Sequence, residues 1–183
     1  MATSMPAFLD QQDFNDLLSE LQAETDRAAA ILAGAYLDDL LKQLLMASFV
    51  DESHHCQNLL EGARALGSFS ARIATCYAFG LVADAERFDL DQIRKIRNDF
   101  AHRRQGVTFN DESIAVRCTT FRCSGEVCRV FPGFGAGFPR DAKSLFVWNA
   151  SLLAFYLRFR VSAAKRRPSP TWPLWQPADE HGA

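Results

Sequence analysis

The stretch DLDQIRKIRNDFAHRRQG, from Asp89 to Gly106, constrains the fold most, because it reads as a helix with a cation set into its apolar side. Asp89 or Asp91 is placed to cap the start. At the other end Gly106 follows His102, Arg103 and Arg104, cations suited to the negative end of a helix dipole, so the spacing predicts about four turns. At about 100° per residue, Leu90, Ile93, Ile96, Phe100 and Ala101 share one apolar arc, the expected core face. Arg97 falls inside that arc. A guanidinium there must snorkel to a cleft or pair with a carboxylate or phosphate, because a charge buried alone costs on the order of several kcal/mol. Asn98 and His102 lie one turn apart, so Arg97, Asn98 and His102 straddle one helix edge that can line a groove.

The rest of the chain supports a helical partner set for that element. Fifteen Phe against ten Gly and seven Pro, in a chain of 183 residues that is 48% hydrophobic, point to one all-α bundle of five or six helices. Phe14, Leu17, Leu18 and Leu21 predict a short amphipathic helix over 10–22 on the bundle surface. Ala30, Ala33, Leu37, Leu40, Leu41 and Leu44 form a broad stripe, so the longest central helix is expected from Glu24 or Thr25 to Phe49. On its other side Asp38 sits four before Lys42 and reads as an exposed ion pair, the alternative being a partner for Arg97. Ser68 caps a helix expected to run to Val82, with Phe69, Ile73, Cys76, Tyr77 and Phe79 as core and Arg72 facing solvent, the alternative being that it reaches the same groove as Arg97. Residues 141–165 predict a last helix whose stripe of Leu145, Trp148, Leu152, Phe155, Tyr156 and Phe159 is wide enough for packing on two sides, as in a dimer. The domain is thus expected over 10–165, between a short amino-terminal segment (1–9) and a tail (166–183) that carries four prolines, Trp172 and Trp175.

Several segments read as connections or structural chemistry. DESHHCQN (51–58) is turn-like, and adjacent His54, His55 and Cys56 rarely point at one ion. After a start capped by Asn110 or Asp111, the helical period is lost. Cys118, Cys123 and Cys128 have neither zinc nor iron–sulfur spacing and read as structural thiols, and PGFGAGF lacks the GK[ST] ending of a phosphate loop. No metal or cofactor is expected. Five cysteines, no leader-like start and no apolar run near the roughly 20 residues of a membrane span suggest a reduced, cytoplasmic setting away from membranes. Residues 1–62 hold eleven carboxylates against Arg27 and Lys42, while the remainder holds eighteen cations against eleven carboxylates. Such polarity permits a polyanion partner without demanding one.

Arg97-Asn98-Asp99-Phe100-Ala101-His102 resembles the Arg-polar-x-x-x-His signature of HEPN-domain ribonucleases. LLEGARALGSFSARIATCYAFGLV (59–82), followed by the IRNDFAH helix, resembles the mannitol-repressor (MltR) family of small helical bacterial proteins over residues 25–160. The first resemblance implies a dimeric, metal-independent endoribonuclease of a toxin, defence or RNA-regulatory kind. Two chains would bring their motifs to a shared cleft, with His102 as acid or base, Arg97 stabilising developing charge and Asn98 orienting phosphate or imidazole. Arg94, Lys95, Arg103 and Arg104 would then flank the groove and hold RNA phosphates, and an antitoxin or regulatory protein could be a further partner. The second implies a non-enzymatic transcriptional regulator acting through protein partners, with Arg97 as a structural cation and His102 as a helix-end cap. A third expectation is an interaction module recruited through the aromatic tail. The ribonuclease is the leading expectation.

Overall fold

The computed structural model describes residues 11–50, 54–102, 106–130 and 139–166. They form eight helices in the order α1 (Gln11–Ala23), α2 (Asp26–Ser48), α3 (His54–Leu59), α4 (Phe69–Ala78), α5 (Asp84–His102), α6 (Glu112–Thr119), α7 (Cys123–Val130) and α8 (Ala142–Ala163), with no strand among the described residues. Three starts follow from local chemistry: the side chains of Thr25, Ser68 and Asp141 accept from the amides of Ala28, Ala71 and Ser144. The all-α expectation holds. PGFGAGF, Arg103, Arg104, Trp172 and Trp175 lie outside the described residues.

The core is built around α2 and α8. All six predicted stripe residues of α2 are buried. On α8 every residue from Leu145 to Ala154 is buried, and the helix packs against α1, α2, α5, α6 and α7. Most of its apolar surface is therefore met inside one chain, with Phe159 left exposed, which weakens the reason for expecting a second copy against it. Phe100 of α5, Phe109 of the following turn and Phe146 of α8 stack in sequence with ring centroids 5.0 Å apart at each step, so α5 is pinned against the bundle centre.

Four element readings need correction. Helix α5 begins at Asp84, five residues before Asp89, because the Glu86 carboxylate accepts from the Ala83 amide at 2.7 Å and caps the helix from within its first turn. Helix α4 stops at Ala78 rather than Val82: Gly80 takes φ +68°, and the amides of Gly80 and Leu81 close back on the carbonyls of Tyr77 and Cys76. That turn is a Schellman stop, and it leaves Tyr77 and Phe79 exposed instead of in the core. The segment 54–59 is a short helix, not a loop. Beyond Asp111 the chain forms two short helices, α6 and α7, where a loss of period was expected.

Candidate functional site

The edge of α5 holds the sequence-predicted residues. Arg97 is half-buried, and its methylenes lie against α2 at Gly34, where an added Cβ would come within 2.8 Å of the Arg97 Cγ. Only glycine leaves room there. The guanidinium reaches outward and donates from Nη1 to Asn98 Oδ1 at 3.0 Å, with no carboxylate in ion-pair range among the described residues. Arg97 thus takes the snorkelling solution, and Asp38 is not its partner. His102 is exposed at the carboxy-terminal end of α5, and Ala101 beside it is also exposed, because the last turn overhangs the core. Lys95 is exposed, whereas Arg94 donates to Asp91 at 3.2 Å, so the cationic edge is partly neutralised from within. Lys95, Asn98 and His102 recur at three-and-four spacing and share one polar face.

The strongest polar constructions lie elsewhere. Arg72, expected in solvent, is buried and donates to Asp38 Oδ1 at 2.6 Å, to the Leu66 carbonyl at 3.0 Å and to the Leu60 carbonyl at 2.8 Å. It holds the turn between α3 and α4 onto α2. Lys42, expected to pair with Asp38, instead reaches Glu61 at 2.6 Å. Asp89 does not cap its own helix. It is fully buried in mid-helix and accepts from the backbone amides of Arg122 and Cys123, both at 2.8 Å, which makes it the cap of α7. Burial pushes the Asp89 carboxyl above its ordinary range, against the opposing pull of those two amides. Glu86 is buried as well and takes Arg160 of α8 at 2.6 Å. No local rule points across such separations; the available signal was a carboxylate or guanidinium sitting where a helix face is otherwise apolar.

Metal chemistry finds no footing among the described residues, where no group of three or more His, Cys, Asp and Glu side chains could hold an ion. Burial pushes the thiols of Cys76 and Cys118 up to about 12, which makes them inert packing groups. No helix of the described residues is long and apolar enough to cross a membrane.

The eight helices of the described residues, packed around α2 and α8, define a class by shape. No family model matches the chain, and no curated protein matches it by sequence. Solved structures do. MtlR in the MtlR–HPr complex from Escherichia coli superposes with a TM-score of 0.58 at 20% identity, over 83% of this chain and 99% of that one. The possible transcriptional regulator YggD from Shigella flexneri gives 0.57 at 16% identity, over 88% and 99%. The bundle is therefore structurally similar, at a distance, to MtlR- and YggD-like regulatory proteins.

That similarity overturns the leading expectation from sequence. A toxin-like or defence ribonuclease is contradicted by a fold shared with two regulators. The RNA and homodimer expectations fall too, since the matching complex joins its regulator to another protein. Asn98 spends its carbonyl on Arg97, and His102 stands in solvent.

Proposed function

We propose that this chain is a non-enzymatic regulator of the MtlR and YggD kind, acting on transcription through a protein partner. The observation that carries this reading is the extent of the structural match: 99% of each regulator chain is covered, so the likeness spans their whole bundle and not one motif. MtlR was solved bound to HPr, which makes a protein of that kind the first partner to test. In this reading Lys95, Asn98 and His102 form the polar face offered to the partner. Arg97 supports it from behind by holding Asn98 and packing its stem on Gly34.

The test is a calorimetric titration of the full chain with HPr from the same organism, alongside transcript profiling of a strain lacking the gene. Binding that is weakened by Lys95→Glu, with transcripts altered in the deletion strain, is the expected result. Absence of binding at micromolar concentrations together with an unchanged transcript profile would show that the regulatory reading is wrong.

A further inference from the structure

Helix α7 is held from outside itself. Its eight residues, CSGEVCRV, fall short of the roughly 12–15 at which an isolated helix begins to hold in water. Gly125 lies in its first turn, exposed, and a Cβ built there meets nothing packed within 4 Å among the described residues. No contact requires glycine at that position, yet the helix bears its entropic cost. Arg122, Gly125, Glu126 and Arg129 face solvent, and of the described α7 side chains only Cys123 and Ser124 are buried.

What ties α7 down is polar. Both oxygens of Asp89 accept from the Arg122 amide, at 2.8 and 3.1 Å, and one of them also accepts from the Cys123 amide at 2.8 Å. The Arg122 side chain adds a contact with Asp84 at 3.0 Å and lies over the Phe88 ring, 3.8 Å from its centroid, but is itself half exposed. The floor under the first turn is polar as well, since Glu86, paired with Arg160, and Tyr156 stand near the Cys123 thiol. Ties of this kind open at small net cost, because a carboxylate released from two amides is hydrated in their place. The leucine-rich faces of α2 and α8 lose apolar burial instead. Opening free energies within one fold run from near zero to that of the whole, and elements with few buried apolar contacts sit at the low end.

We propose that α7 is a latch, which undocks from α5 and α8 by releasing the Asp89 cap while the rest of the bundle stays folded. Undocking bares Asp89 and the Cys123 thiol, both kept from water in the closed bundle, and strips Asp84 of Arg122. The latch is open to control by any group that competes for the Asp89 carboxylate or for the two amides it caps. It holds or fails independently of the regulatory reading.

Iodoacetamide labelling of the reduced full-length chain tests this, with mass spectrometry reading Cys76, Cys118 and Cys123 separately. All three are buried in the closed bundle. Cys123 is expected to react at least about a hundredfold faster than Cys76 and Cys118, yet slower than a free thiol. Asp89→Asn is expected to speed Cys123 about tenfold by weakening the cap. Gly125→Ala is expected to slow it about two- to fivefold by favouring the helix, and this solvent-side variant decides alone if Asp89→Asn unfolds the bundle. In hydrogen exchange the α7 amides are expected to lose protection well before those of α2 and α8. Equal labelling of all three cysteines overturns the proposal, because α7 would then open only with the whole bundle. Equal rates at Cys118 and Cys123 overturn it too, since α6 would be leaving with α7, and so does a Cys123 rate that neither variant moves.

Discussion

Two arginines, Arg97 on α5 and Arg72 on α4, exchange the roles their sequence positions suggest. Arg97 sits on an apolar arc and invites a functional explanation, yet its guanidinium leaves the core and rests on the neighbouring Asn98. Arg72 sits on a helix of ordinary composition and is the one buried, tied to Asp38 and to the carbonyls of Leu60, Leu66 and Gly67. The difference is one of reach. A glycine on α2 gives the Arg97 stem a track to the surface, whereas Arg72 is enclosed by a turn whose carbonyls accept from its guanidinium. Position on a helical arc therefore decides where a side chain starts, and the opposing element decides where its charge ends.

The comparison breaks most easily at Arg72. Arg72→Leu is expected to cost about 3–5 kcal/mol, because it strands Asp38 and three carbonyls at once. Urea unfolding measures it, and a loss below about 1 kcal/mol, the scale of an exposed pair, would return Arg72 to the surface class.

Asp89 gives the next largest effect and the pH signature. Its carboxyl is raised by burial, so the stability it contributes is full below the ordinary carboxylate range and declines as pH rises from about 4 through the raised folded value. Asp89→Asn should cost about 1–3 kcal/mol at acid pH through its poorer capping of α7. It should also lack that part of the wild-type decline, so the gap between the two narrows as pH increases. Thermal melts across pH 3–8 check this, and a gap that widens with pH would reverse the sign assigned to Asp89.

Gly34 and Arg97 sharpen the other side. Gly34→Ala adds about 1 kcal/mol of helix propensity, but the new methyl meets the Arg97 stem and overpacking costs about 1–3 kcal/mol, so a small net loss is expected. In an Arg97→Ala background the same change should become stabilising. A double-mutant cycle reads the coupling, and additive behaviour would mean the stem has another route. The smallest effect belongs to His102→Ala, expected within about 0.5 kcal/mol of wild type in the same melts because the ring is exposed. A larger loss would place His102 in a structural contact.

How much was legible follows from the range of each signal. The stripes of α2 and α8 and the cap at Ser68 depend on residues within one turn of each other, and sequence reading found them, along with helix starts near Thr25 and Asp141 whose capping role it did not name. Helices α3, α6 and α7 are 6, 8 and 8 residues long, too short for a period to stand out, and α7 takes its cap from Asp89 more than thirty positions upstream. The α5 edge was found as a set of residues, but its chemistry was misread as ribonucleolytic. The six-residue motif specifies spacing only, whereas the pairing of Asn98 with Arg97 and the opening at Gly34 are set by contacts no spacing encodes.

The placement of α8 has a consequence for biosynthesis. The helix on which α1, α2, α5, α6 and α7 converge is the last of the described helices to be made, so the faces they turn toward it stay open until residue 163 has been translated. At about 5–20 residues per second, the side of α2 that meets α8 waits on the order of ten seconds between its own synthesis and the arrival of α8. During that interval the nascent chain presents a leucine-rich face to the cell. A ribosome that stalls or terminates before α8 releases a product in which α2, α4 and α5 can pair while the faces that α1, α2, α5, α6 and α7 turn toward α8 stay open, a substrate for chaperones and proteases from the moment it leaves.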